Sequence, residues 1–342
     1  MKRYWQKVLR LFPLLGLILL ALAGCGEENL SAIQPKGTGA ELQLDLILLS
    51  LYIMIGVILV VGVIYTYVLI KFRKRPGQEN EIPEQVEGNT TLEILWTAIP
   101  ILLLIILAVP TVMATFTLAA EEPKEGDDTL KVQVTANLYW WQFDYPDQEI
   151  STSQDLYIPV GEKVYIELTS NDVIHSFWVP ALGGKTDTNP GLENTMWLEA
   201  NEPGVYKGKC TELCGPSHAL MDFKVIALEK DEFDAWTEKM KAGPEAPQTA
   251  KAQQGEEIFS QSCIGCHAVG DQGGNTAPNL TSFGDRQTLA GFKEMSKENL
   301  VSWIKNPQSM KPGNNMPAFG EQLSDEEVDA LADYLLGLKV AE

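Results

Sequence analysis

The sequence predicts a multidomain membrane protein of three successive units: a two-helix transmembrane hairpin, an all-β sandwich or barrel, and a small all-α domain. Three observations carry this expectation. Long apolar runs crowd the first part of the 342-residue chain, and the hydrophobic share of 45% is high for a wholly soluble protein. A middle stretch alternates apolar and polar residues with period two. From about residue 252 the period becomes helical.

The first apolar run, VLRLFPLLGLILLALAGC, follows the basic start Met1-Lys2-Arg3 and ends in Leu22-Ala23-Gly24-Cys25. This is the layout of a secretory signal over residues 1–24. The ending resembles the lipobox of bacterial lipoproteins, which implies a lipid anchor on Cys25; a plain signal peptide with an incidental cysteine is the alternative. Residues 25–120 hold two further runs, about 42–70 and 94–119. Each is long enough to cross ~30 Å of hydrocarbon at ~1.5 Å per helical residue. Between them the basic segment KFRKR, residues 71–75, marks the cytoplasmic side, so Cys25 and everything after Ala119 lie outside a bacterial plasma membrane crossed twice.

Residues 1–120 hold nine Lys plus Arg against nine Asp plus Glu, and residues 121–342 hold 17 against 37, so the external part carries the whole net charge of −20. Such a field repels nucleic acid and speeds encounter with a basic partner, or simply keeps the chain soluble. Within residues 121–240, the segments KVQVTA, KVYIELTS, MWLEA, GVYKGK and DFKVIALE are short alternating runs separated by Gly, Pro, Asn and Asp. Short strands so closely spaced indicate the sandwich or barrel. The aromatic run Leu138-Tyr139-Trp140-Trp141-Gln142-Phe143-Asp144-Tyr145 reads as a strand packing large rings into it.

Residues 241–251, KAGPEAPQTAK, read as a linker flexible by composition, which leaves the placement of the following unit open. In residues 252–342, Ser324-Asp325-Glu326-Glu327 has the form of a capping box, and Val328, Leu331, Leu335 and Leu338 share one helix face. The same unit contains Cys263-Ile264-Gly265-Cys266-His267, the attachment pattern of c-type haem. Two thiols three apart can reach two vinyl groups of one porphyrin, and the adjacent His267 is then held over the iron. No other histidine remains in this unit, so the sixth ligand is expected to be a methionine: Met295, Met310 or Met316. Met316 sits in Gly313-Asn314-Asn315-Met316-Pro317, an irregular loop able to present a side chain; residues 251–340 resemble class I cytochromes c, whose axial methionine lies in such a loop before the last helix, and the resemblance implies Met316, with Met310 as the fallback.

The segment CTELCGPSHALM, residues 210–221, gathers two thiols, an imidazole and a thioether. Such soft or borderline donors select copper over hard cations. Cys214, His218, Met221 and an upstream His175 match a mononuclear blue-copper pattern. The additional Cys210 offers a second bridging sulfur and hence a binuclear centre. A Cys2His2 zinc site would leave Met221 idle; a copper-delivery thiol protein needs no attached haem unit.

At this level the chain resembles a known family. Residues 171–177, Asn-Asp-Val-Ile-His-Ser-Phe, together with residues 210–221 resemble the dinuclear copper A domain of cytochrome c oxidase subunit II, and the appended cytochrome resembles the caa-type bacterial variant. The resemblance implies a cupredoxin-like sandwich. It also implies that Cys210 and Cys214 bridge two coppers, His175 and His218 bind one each, Met221 is a weak ligand and the Glu212 carbonyl a further one. It places the Glu212 carboxylate on a magnesium ion shared with the catalytic subunit. In the family a tryptophan beside copper receives electrons from a separate cytochrome c; here the matching residue is Tyr139, with Trp141 close by. Glu93, in Glu93-Ile94-Leu95-Trp96-Thr97, matches a glutamate at the mouth of a proton channel, while Thr90 to Glu93 also reads as a capping box. The implied partners are the oxygen-reducing catalytic subunit, further membrane subunits, membrane lipid and a donor such as a cytochrome c or quinol-oxidising complex. No oxygen site lies on this chain. A copper-delivery protein with a redox-sensing haem is the alternative, and an electron-accepting domain of nitrous oxide reductase is disfavoured by the two membrane helices.

Overall fold

A computed structural model describes residues 13, 16, 17, 26–74, 77, 87–124 and 126–340. Cys25, nearly all of the signal segment and Arg75 of the basic loop lie outside the described residues.

The two apolar runs form α1 (Thr38–Phe72) and α2 (Thr90–Leu118), of 35 and 29 residues. Both exceed the ~20 residues that a bilayer core requires. They pack on each other and leave their other apolar faces bare, as lipid-facing helices do. Helix α1 begins four residues before the expected run because its first turn docks on the sandwich. Lys36 N–H donates to Ala181 O at 2.7 Å, Ala40 N–H to Leu182 O at 3.1 Å, and Asn201 N–H to Lys36 O at 2.8 Å. Helix α2 is capped by Asn89, whose side chain accepts from Leu92 N–H at 3.1 Å. The expected Thr90 to Glu93 capping box is therefore corrected: an amide one residue earlier takes the capping position, and the Glu93 carboxylate instead lies over Gly88, where a Cβ would stand 2.4 Å from Oε1.

The β unit comprises β1 (Lys131–Asn137), β2 (Trp140–Tyr145), β3 (Ile150–Ser153), β4 (Asp155–Pro159), β5 (Val164–Ser170), β6 (His175–Trp178), β7 (Lys185–Thr188), β8 (Asn194–Leu198), β9 (Gly204–Cys210) and β10 (Asp222–Leu228). They make two five-stranded sheets, β3-β2-β1-β5-β8 and β4-β10-β9-β6-β7. The pairs β1 with β5 and β4 with β10 are parallel. Strands β1 and β2 bury every second residue, as the alternation predicts. Trp141, Phe143, Phe177 and Phe223 fill the space between sheets, with the Phe177 and Phe223 rings stacked at 4.5 Å.

Helix α3 (Lys230–Ala242) closes the sandwich by stacking Trp236 on Tyr157 at 4.2 Å. Residues 243–249 then lead without regular structure into the helical unit, built from α4 (Ala250–Ser262), α5 (Lys297–Lys305), α6 (Pro307–Met310) and α7 (Asp325–Gly337). Helices α4 and α7 cross at Gly255, where a Cβ would come within 2.2 Å of Ala330 O, and only hydrogen permits that approach. The capping box at Ser324 and Glu327 is formed, and Val328, Leu331, Leu335 and Leu338 are buried together.

The linker does not leave this unit adrift. Across its seam with the sandwich, Asn279 N–H donates to Ser153 Oγ at 3.0 Å, Lys224 Nζ to Gln287 Oε1 at 3.3 Å, Ser217 Oγ to Pro312 O at 2.6 Å and Lys311 Nζ to Tyr139 O at 2.7 Å. Val340 joins the sandwich core, and the buried charges of Arg286 and Asp155 offset part of each other's burial.

Candidate metal centres

The ends of two neighbouring strands and one loop build the first site. His175 opens β6, Cys210 closes β9, and Cys214, His218 and Met221 lie on the β9–β10 connection, whose neck is tied by Cys210 N–H donating to Met221 O at 3.3 Å. The two sulfurs stand 3.9 Å apart, far beyond the ~2.05 Å of a disulfide. Each has its own imidazole: His175 Nδ1 lies 3.8 Å from the Cys210 sulfur, and His218 Nδ1 lies 3.6 Å from that of Cys214. Met221 Sδ is 3.9 Å from the Cys214 sulfur, and Glu212 O is 3.4 Å from that of Cys210. His175 and Met221 are fully buried, and Cys210 and Cys214 are only 7% and 8% exposed.

Asp172 fixes the tautomer. His175 Nε2–H donates to its Oδ1 at 2.7 Å, which turns Nδ1 toward the sulfurs as the free donor atom. Against the cost of burial, that bond and the amides of Val173 and Leu138 hold the Asp172 carboxyl below its usual range. The hydrogen bond from Cys214, opposed by burial and helped by His175, brings the Cys210 thiol well below its usual range. Cys214 in turn is pushed up, first by that shared hydrogen bond and then by burial. Two thiolates this close in a dry pocket repel, so cations must be present for both to ionise together. The donors therefore fit two soft metal ions, each with a shared sulfur pair and a separate imidazole. Four of the expected ligands, His175, Cys210, Cys214 and Met221, converge, with His218 at the rim and the Glu212 carbonyl beside Cys210. The Glu212 carboxylate turns outward instead and accepts from Lys185 Nζ at 3.3 Å.

Trp141 is buried edge-on to His175 at 6.1 Å, and its indole N–H donates to Met221 O at 3.4 Å. Tyr139 is also buried, with its hydroxyl over Gly215, where a Cβ would stand 2.5 Å from it.

The second site follows α4. Cys263, Cys266 and His267 form a tight turn in which the amides of Cys266 and His267 donate to Cys263 O at 3.1 and 3.0 Å. His267 Nδ1–H donates to Pro278 O at 2.7 Å, which reserves Nε2 for a metal, and burial holds the ring's pKa low so that it stays neutral. Gly274 closes over the turn, with room for no Cβ beside Gly265 O at 2.3 Å. Met316 Sδ accepts from Trp303 Nε1–H at 3.1 Å, which orients the thioether and leaves its second lone pair. Met295 packs into the helical core and Met310 ends α6. These features fit a covalently held haem. Asp172, the Pro278 carbonyl and Trp303 escaped the sequence reading; Asp172 alone carried a signal, a carboxylate three residues before a ligand histidine in a turn.

A membrane hairpin carrying a soft-donor β sandwich and a haem-binding helical unit defines a membrane-anchored redox protein. Matching family models are cytochrome c oxidase subunit II, transmembrane domain, over residues 37–113; cytochrome c oxidase subunit II, periplasmic domain, over 148–228; and cytochrome c over 252–339. The chain is 54% identical over 344 residues to cytochrome c oxidase subunit 2 of Alkalihalophilus pseudofirmus, a match covering 99% of this chain and 100% of that one. It is 52% identical over 347 residues to that of Bacillus sp. strain PS3, covering 97% and 98%, and 48% identical over 356 residues to that of Bacillus subtilis, covering 99% of each. The chain belongs to the cytochrome c oxidase subunit II family, in the form that carries a C-terminal cytochrome c domain. It is therefore a membrane-anchored oxidase subunit with its copper and cytochrome domains on the outer face.

Proposed function

We propose that the chain relays electrons, one at a time, from an external donor through its cytochrome domain and a dinuclear copper site to the oxygen-reducing catalytic subunit. The observation that carries this reading is the pair of buried sulfurs 3.9 Å apart, each faced by a different imidazole. Bound there, copper and haem supply reversible one-electron chemistry, and sulfurs shared by two metals spread the charge so that little rearrangement accompanies each transfer.

The residues act as holders and positioners. Cys210 and Cys214, with His175, His218, Met221 and the Glu212 carbonyl around them, would hold the two coppers, one imidazole serving each ion. Cys263 and Cys266 would carry the porphyrin, and His267 and Met316 would hold its iron. Buried sulfurs favour retention: a delivery protein must expose its thiols to an acceptor, whereas these lie almost wholly beneath the loop. The apolar Leu213, 82% exposed, and Ile174, 48% exposed, flank the ligands and suit the catalytic subunit's surface. The Glu212 carboxylate suits a magnesium ion at that junction, Glu93 at the cytoplasmic end of α2 suits proton uptake, and Cys25 suits a lipid anchor. The external charge favours a basic donor such as a cytochrome c.

Metal analysis and electron spin resonance of the full chain test the reading. Two coppers per iron surviving dialysis are expected, with one unpaired electron spread over both nuclei; a single labile copper that passes to a chelating acceptor favours delivery instead.

A further inference from the structure

The cytochrome domain meets the sandwich on the very loop that carries Cys214 and His218. We infer that this contact, Lys311–Gly313 pressed on Tyr139 and on Gly215–Ser217, is the route by which an electron crosses between the domains, with the Ser217 to Pro312 hydrogen bond as its crossing point. The inference deepens the proposed relay and rests on it.

Electronic coupling decays far less per ångström through covalent and short hydrogen bonds than across van der Waals gaps. A continuous line of such bonds joins the expected sixth haem ligand to a copper ligand. Met316 N–H donates to Asn314 Oδ1 at 2.9 Å, and Asn314 Nδ2–H donates to Lys311 O at 2.6 Å. Lys311 is bonded to Pro312, whose carbonyl accepts from Ser217 Oγ–H at 2.6 Å. Ser217 is fully buried and bonded to His218. The step carried is a plain one-electron exchange: the haem side is oxidised as the copper side is reduced, and no proton moves and no bond forms or breaks.

Lys311 holds the two ends in register. The residue is 2% exposed, and its Nζ donates to Tyr139 O and Ala290 O, each at 2.7 Å. A buried amine, charged or neutral, is penalised in any orientation that leaves its donors unpaired, so such a group selects one docked geometry. The Tyr139 hydroxyl wedges between the loops, and glycines at 215 and 313 admit it: a Cβ would stand 2.5 and 3.2 Å from that oxygen.

The test uses the full chain holding copper and haem, as parent, Ser217→Ala, Ser217→Thr, Asn314→Ala and Lys311→Met. Haem-to-copper equilibration is followed after flash reduction of the haem, and hydrogen exchange is followed over residues 138–142. Ser217→Ala and Asn314→Ala should each slow equilibration several-fold with exchange at the parent level, and Ser217→Thr, which keeps the donor, should restore the rate. Lys311→Met should raise exchange and slow equilibration further. Parent rates in both Ser217→Ala and Asn314→Ala overturn the route; parent exchange in Lys311→Met overturns the seam. Should Ser217→Ala disturb the copper spectrum, Asn314→Ala, on the cytochrome side, decides alone. A parent chain that fails to hold both groups overturns the relay and the route with it, while the exchange of Lys311→Met still reads the seam.

Discussion

Asp172 decides which nitrogen His175 offers, and its effect is felt through a ring rather than through direct contact with metal. Replacing it by Ala should lower copper affinity by about 10–100-fold, the usual consequence of losing such an outer partner, and competition with a calibrated chelator measures it. Cys214→Ser should abolish the shared-electron resonance and reduce the copper content, because a hydroxyl does not bridge soft ions as a thiolate does. In the haem domain, Met316→Leu should remove the thioether-to-iron absorption and lower the haem potential, whereas Met310→Leu should leave both unchanged; the reverse outcome reassigns the ligand. The donors themselves were legible in the sequence because cysteine, histidine and methionine are scarce and their spacing is chemically restrictive. Asp172 was less so: it is one of 46 acidic residues, and its place three residues before His175 was its one signal until folding set it against Nε2.

At the scale of elements, periodicity was informative wherever one face met solvent. Strands β1 and β2 and helix α7 announced themselves in this way. Strand β4 did not: all five of its residues are buried, Leu156 and Ile158 in the sandwich core and Tyr157 under Trp236 of α3, so no alternation could appear in its sequence. The start of α1 was also hidden, because its first turn is held by sandwich carbonyls rather than by apolar composition. Within the cytochrome domain, Lys251 and Lys297 clasp Asp329 and Asp333 and so tie α4 and α5 to α7, with Lys297 at 2.7 and 2.5 Å from the two carboxylates. Hydrogen bonds from these lysines hold Asp329 below its usual range, and Asp333 likewise despite partial burial. Depressed carboxylates bind fewer protons folded than unfolded, so their contribution is present above the ordinary carboxylate value and lost below it. The thermal midpoint of the full chain, followed by haem absorbance, should fall as pH drops below about 4, and Lys251→Met should flatten that fall. Gly255→Ala should separate α4 from α7 at a cost of about 1–3 kcal/mol, measured by denaturant unfolding.

For the whole molecule, the order of units along the chain was readable from composition, but their arrangement was not. A segment rich in Ala, Pro and charge carries no signal of docking; the seam is written instead in scattered residues, Lys311, Arg286, Ser217 and Asn279, that look like ordinary surface groups until the domains meet. On the proposed relay, this docking would join the three modules into one path, from an acidic exterior through the haem domain and the copper loop to the apolar rim at Leu213 and Ile174. The copper-to-iron ratio of the dialysed full chain tests that account most directly. Two coppers for each haem iron are predicted; a ratio of one, with the copper surrendered to a chelating acceptor, would contradict it.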